Sequence, residues 1–287
     1  MSTRTVQQIT VATQVQMGRD FIYQPFPSHQ LRNVDPFILL HHWGPYEFPP
    51  NNDALALGGH PHRGFEPVTF IFKGEVWHRD TMGNDSIIKE GGVQWMTAGK
   101  GVMHSEMGTD EFHKKGGAFE IIQVWMNLPK KLKMTEPVYH GFQKNDIPVV
   151  TEDGGKVKIA VVSGKVGNTN GPIKSITGIS AYTIYVEANS KVTITSNASK
   201  NAMLYMLDGS ATVNGKKVEE GRSAITFNDD GTEITIEAAQ KSKFLFLEGE
   251  AIKEPVAQYG PFVMNTTEEL HQAFEDFQSG KMGVLED

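Results

Sequence analysis

Residues 58–74 read GGHPHRGFEPVTFIFKG, and residues 92–106 read GVQWMTAGKGVMHSE. Glycines bracket both stretches, and the run Val68, Thr69, Phe70, Ile71, Phe72 is the β-branched and aromatic pattern of a strand. In an extended chain residues i and i+2 share a side, so His60 projects with His62, and His104 with Glu106. If the two segments fold as neighbours, three imidazoles and one carboxylate meet. Three neutral nitrogens and one oxygen suit Fe, Mn, Co, Ni, Cu or Zn better than Ca or Mg, which prefer all-oxygen shells. A lone histidine in a β-protein is ordinarily a satisfied polar group. Two paired spacings with glycine-rich approaches are a stronger signal of a metal site.

Outward from these segments, Gly and Pro punctuate the chain at short intervals, and the stretches between them are short and alternating, as in residues 233–236 (EITI). This predicts an all-β architecture of many short strands, a sandwich or barrel. One helix is expected near the end. From Thr266 to Ser279, Leu270, Ala273, Phe274 and Phe277 follow the i, i+3, i+4, i+7 rule; Thr266 and Glu269 have capping-box spacing, and Gly280 stops the run.

The pattern repeats loosely. One apolar strand ends in Lys73-Gly74 with Glu90-Gly91-Gly92 after it, and another ends in Asp208-Gly209 with Glu220-Gly221 after it. At 287 residues two lobes are the expectation. The Pro- and Lys-rich residues 128–148 serve as the linker, giving an N-terminal metal-binding lobe over 1–140 and a second lobe with the helix over 141–287. Nine of the ten histidines lie at or before His140, and none falls between Gly141 and Leu270. A histidine site therefore belongs to the first lobe alone, and one metal per chain is expected. In the second lobe, residues 196–201 (SNASKN) stand ahead of the strand to Gly209, offering hydroxyls and amides in place of imidazoles.

The net charge of −7 carries no basic patch, so direct nucleic-acid binding is not expected. The N-terminal MSTRTVQQIT lacks a secretory core, and no long apolar run suggests a membrane span, which reads as a cytoplasmic protein. The absence of Cys excludes disulfides, thiolate ligands and a Cys nucleophile.

The first motif resembles that of the cupin superfamily: a glycine, HxH, then Glu66 and Gly74. More specifically, residues 60–84 (HPHRGFEPVTFIFKGEVWHRDTMGN), residues 94–106 (QWMTAGKGVMHSE) and residues 254–266 (EPVAQYGPFVMNT), followed by QSGK, resemble the pirin family. The resemblance implies a bicupin of two jelly-roll β-barrel lobes with a short C-terminal helix. It implies one divalent transition metal per chain, Fe2+ foremost with Zn, Mn, Co, Ni or Cu open, held by His60, His62, His104 and Glu106. Glu66 is the rival oxygen ligand, because the glutamate of the first motif ligates in many other cupins and its parity along an extended strand matches His60 and His62.

The resemblance also implies a dioxygenase of the quercetin 2,3-dioxygenase type, opening flavonols with loss of carbon monoxide. Its substrates would be a small planar aromatic molecule and O2, with Glu106 as the general base that takes the 3-hydroxyl proton. The alternative is a metal- or redox-responsive module that binds a protein partner, as a co-regulator or alongside a metabolic enzyme. Other residues carry weaker signals. His41 and His42 read as loop or core polar groups. His78-Arg79-Asp80 can orient the site but reads foremost as an exposed charge cluster, so that His78→Ala is expected to leave metal content unchanged. Phe65, Trp77 and Trp95 are either an apolar wall or plain core, and Lys130-Lys131-Leu132-Lys133 a solvated linker face.

Overall fold

The computed structural model describes residues 2–18 and 20–285, and not the side chain of Ala56. The chain falls into two compact units, Met1–Ile38 with Asp146–Ala251, and Leu39–Asn145 with Ile252–Asp287. Each unit is a pair of β-sheets with its apolar faces turned inward.

In the unit containing residues 39–145, the larger sheet includes, in order, Val138–Phe142, Val93–Thr97, Phe65–Lys73, Gly117–Asn127 and Phe37–Phe48, and the smaller one runs Ala56–His62, Val102–Met107, Glu75–Asp80, Asp85–Lys89. The other unit repeats this order. Its larger sheet runs Val6–Val11, Ser223–Phe227, Asn201–Asp208, Ser242–Gly249, Ser180–Val186, Val157–Ser163, Val149–Glu152, and its smaller sheet runs Ser190–Thr195, Glu233–Ala238, Ala211–Val213, Lys216–Val218. In both, a central strand (Phe65–Lys73 or Asn201–Asp208) is flanked by the third and fifth strands after it, which is the interleaving of a jelly roll.

The repeat seen around Gly74 and Gly209 is thus a repeat of strand order. The interiors differ. In the repeat, Val192, Ile194, Ile234 and Ile236 point into the apolar core from the strands equivalent to Ala56–His62 and Val102–Met107. Aliphatic side chains, rather than the expected 196–201 segment, stand where the first barrel carries imidazoles.

The two lobes are not the two continuous halves 1–140 and 141–287. Strand Val6–Val11 pairs antiparallel with Ser223–Phe227, which draws the N-terminus into the lobe built mainly from later residues. The C-terminal segment returns to the histidine-bearing lobe. There α2 (Thr267–Gln278) begins at Thr266 with both halves of a capping box, worth about 1 kcal/mol. Leu270 and Ala273 are buried, and Phe274 and Phe277 pack with them against Met103, Phe262 and Met264. A second helix, α1 (Asp110–Lys115), was not expected; Thr109 caps it by accepting from Phe112 N.

The supposed linker is partly built into the barrel. Val138–Phe142 pairs with Val93–Thr97. Lys133, expected on a solvated face, is buried, and its Nζ donates to Gly64 O, Asn127 Oδ1 and Val263 O at 2.8, 2.6 and 3.0 Å. Burial lowers its pKa to about 8, against the opposing pull of Glu254 and Glu269.

Candidate metal centre

Strand pairing assembles the site. His60 lies directly opposite His104, and on the other side of that strand Asp80 lies opposite His104 and His78 opposite Glu106. Residues directly opposite share a face and faces alternate along a strand, so His60, His62, His104, Glu106, His78 and Asp80 all look into the barrel. The ring centroids of His60, His62 and His104 lie 4.4 to 4.9 Å apart. One nitrogen from each lies within 4.8 Å of the others, the only such group of three or more metal-binding side chains among the described residues.

The donor set fits a transition metal. His60 Nδ1–H donates to Gly58 O at 2.8 Å, and His62 Nδ1–H to Pro261 O at 3.3 Å, which leaves each Nε2 free to ligate. His104 Nε2 is buried and has no hydrogen-bond partner. Burial first, then the charges of neighbouring imidazoles, hold His62 and His104 well below the ordinary histidine pKa of 6.5. Both are therefore neutral at physiological pH, the state a ligand needs.

Glu106 is buried on the same strand but outside the tight histidine group. Thr69 Oγ1 donates to its Oε1 at 3.0 Å and Gln123 Nε2 to its Oε2 at 2.7 Å. Trp125 Nε1 donates to Gln123 Oε1 at 3.0 Å, which fixes the amide so that its NH2 faces the carboxylate. Trp125 also packs on Phe65 with centroids 4.3 Å apart, and both rings lie edge-on to His62. The aromatic wall and the carboxylate are thus one connected assembly.

Glu66 does not join this face. Between His62 and Phe65 the chain turns through Gly64, whose φ of +86° suits glycine and where a Cβ would come within 2.0 Å of Val263 O. The turn resets the alternation. Thr69 reaches the Glu106 side, so Glu66, of opposite parity, faces the far side of the sheet, where Thr97 Oγ1 donates to its Oε1 at 2.6 Å. Its second oxygen is buried without a partner, and burial, against the hydrogen bonds of Thr97 and Trp95, raises its pKa to about 7.

The other candidates separate cleanly. His42 is a core group 3.3 Å from Glu120. Trp95 is core on the Glu66 side, and Trp77 bonds Asp85 beneath Arg79 at the surface. His78 and Asp80, by contrast, are buried beside the triad rather than exposed. The residues that sequence reading passed over are Thr69, Gln123, Trp125 and the Pro261 carbonyl. The spacing of Gln123 and Trp125 on one strand face was the available signal for two of them.

Comparison with known proteins agrees with this architecture. The family described as Pirin matches residues 12–126, and that described as Pirin C-terminal cupin domain matches residues 181–283. A Pseudomonas aeruginosa protein with the provisional name quercetin 2,3-dioxygenase is 36% identical over 271 residues, covering 92% of this chain and 94% of its own. The chain belongs to the pirin family. A pirin-like protein of Caulobacter vibrioides is 39% identical over 254 residues, 86% of this chain and 87% of its own. The crystal structure of a quercetin 2,3-dioxygenase from Acinetobacter baumannii superimposes with a TM-score of 0.92 at 33% identity, covering 99% of this pirin and all of that chain. No helix of this pirin, among the described residues, is long and apolar enough to cross a membrane.

Proposed function

We propose that this pirin is a metal-dependent dioxygenase that opens flavonols such as quercetin with release of carbon monoxide, using Fe2+ and O2. The observation that carries the reading is the trio of converging imidazoles, two of them buried and held neutral, with His104 Nε2 unpartnered, beside the Phe65–Trp125 wall and a carboxylate on the same face. The names of the P. aeruginosa relative and the A. baumannii structure point to the same chemistry.

His60, His62 and His104 would hold the metal, with Glu106 as the fourth ligand. When bound, the metal supplies Lewis acidity toward a flavonol 3-hydroxyl and open positions for substrate and O2. The chain does the rest. Glu106 receives the 3-hydroxyl proton on its carboxylate, which Thr69 holds through Oε1 and Gln123 through Oε2. Phe65 and Trp125 hold the planar ring system and exclude water from it. The burial of His62, His104 and Glu106 keeps the site dry, which strengthens each of these interactions.

The test is to load metal-free protein with Fe2+ under nitrogen, add quercetin, then admit air and follow flavonol loss and carbon monoxide together. Stoichiometric carbon monoxide that disappears on chelation supports the proposal. A metal-loaded protein that leaves quercetin intact would reject it.

A further inference from the structure

Asp80, His78 and His104 form a chain of hydrogen bonds that ends at Nδ1 of His104, the ring whose Nε2 is the unpartnered nitrogen of the candidate metal centre. Asp80 Oδ1 accepts from the backbone N–H of Met82 and of Asn84 and from the Asn84 side chain, at 2.9, 3.0 and 3.1 Å. Asp80 Oδ2 accepts from Asn84 Nδ2 at 2.8 Å and faces His78 Nε2 at 3.0 Å. A carboxylate surrounded by N–H donors is itself an acceptor, so the proton between Asp80 and His78 sits on His78 Nε2. With a single N–H on the His78 ring, held at Nε2 by Asp80, His78 Nδ1 is the acceptor. That nitrogen faces His104 Nδ1 at 3.5 Å, so the His104 proton belongs on Nδ1 and the lone pair on Nε2. Tyr139 stacks on the His78 ring, with centroids 4.0 Å apart and planes 7° apart, while Ser86 Oγ holds the Tyr139 hydroxyl at 2.7 Å; both oppose rotation of the imidazole.

We infer that His78 and Asp80 are positioning residues, which set the tautomer of His104 so that its bare Nε2 faces the metal. The inference rests on the metal reading above and reverses the sequence expectation that His78 is dispensable for metal. It gives His104 what His60 and His62 draw from the Gly58 and Pro261 carbonyls, an acceptor for Nδ1–H, by way of two side chains instead of the backbone. Partners of this kind typically change metal affinity by about 10- to 100-fold.

The isosteric variant Asp80→Asn tests it. The backbone donors of Met82 and Asn84 select an oxygen at the Oδ1 position, where Asn84 Nδ2 also keeps its bond, so the amide NH2 falls where Oδ2 was, forgoes the second Asn84 Nδ2 bond and donates to His78 Nε2. The His78 proton then moves to Nδ1, and His104 Nδ1 must accept, which places the second proton on Nε2. Long-range proton–nitrogen spectra of the metal-free, 15N-labelled protein are expected to show His104 protonated on Nδ1 in wild type and on Nε2 in the variant. Competition of Co2+ against a chromophoric chelator is expected to show affinity lowered by about 10- to 100-fold.

Should Asp80→Asn fail to fold, two substitutions of His78 replace it. His78→Gln offers an amide oxygen to His104 and should keep Co2+ affinity within about threefold, whereas His78→Phe preserves the ring against Tyr139 without an acceptor and should lose about 10- to 100-fold. The same His104 tautomer in wild type and Asp80→Asn, or equal Co2+ affinity for His78→Phe and wild type, would overturn the inference. A wild type that binds no Co2+ would remove the metal reading, while the tautomer spectra would still decide whether the relay exists.

Discussion

Glu66 is the glutamate of the first motif, and the structure turns it away from the histidines, so its replacement should act on stability and not on the metal. Burial raises its pKa from 4.5 to about 7. The sign follows from proton counts. Between those two values the folded state holds a proton on Glu66 that the unfolded state has lost, so the contribution is fully present below about pH 4.5 and is lost as pH rises through about 7. Over that span, at about 1.4 kcal/mol per pH unit, the loss amounts to about 3 kcal/mol. Glu66→Gln keeps an oxygen for the Thr97 hydroxyl but cannot ionise. Buried His62 and His104 titrate with the opposite sign below pH 6.5, yet they are common to both proteins and drop out of the difference. Urea unfolding of metal-free wild type and Glu66→Gln, followed by tryptophan fluorescence from pH 4.5 to 8, should therefore show the variant gaining about 3 kcal/mol relative to wild type as pH rises. A stability difference that stays flat over this range would refute the burial argument. A variant that loses its metal would show that Glu66 belongs to the site after all.

Four further outcomes follow from the centre. His104→Ala should lower Co2+ affinity by at least about 100-fold in chelator competition, since two imidazoles no longer close on the ion; unchanged affinity would break the ligand assignment. Glu106→Gln should weaken metal binding and abolish quercetin turnover, because an amide is a poor anionic ligand and no base; wild-type carbon monoxide release would remove Glu106 from both roles. Trp125→Ala should raise KM for quercetin by about tenfold, or about 1.4 kcal/mol, by opening the wall and freeing Gln123; a KM within experimental error of wild type would place the substrate elsewhere. Elemental analysis of metal-saturated, desalted protein should give one equivalent per chain, and two equivalents would show a second site outside the histidine trio.

The sequence made visible what depends on local alternation. His60 with His62, and His104 with Glu106, share a face because a strand has period two, and the capped helix was legible because its apolar stripe and capping box are contained in fourteen residues. Glu66 was misjudged for a local reason too. The same parity rule was carried across Gly64, whose positive φ resets it. Lys133 and His78 were misread because charge predicts exposure on average, and only tertiary structure supplies three oxygens for one and Asp80 for the other. The lobe boundaries failed at the termini because a strand pattern names no partner. Nothing within residues 6–11 says that they pair with residues 223–227.

The same distinction explains why two barrels of one strand order differ in chemistry. A jelly roll asks only that alternate side chains face inward, and Val192, Ile194, Ile234 and Ile236 meet that demand with no further support. Imidazoles at the corresponding strands create obligations that aliphatic residues do not. Each buried ring needs an acceptor for one nitrogen and a use for the other. Gly58 and Pro261 supply acceptors to His60 and His62, and the latter comes from a segment 199 residues further on. That segment is tied down by Arg63, whose Nη1 lies 2.9 Å from Asp276 on α2, and by the pairing of Arg63 with Phe262. The return of the C-terminal segment to the histidine lobe is therefore part of the centre's construction. A barrel filled with valine and isoleucine has no comparable need of it.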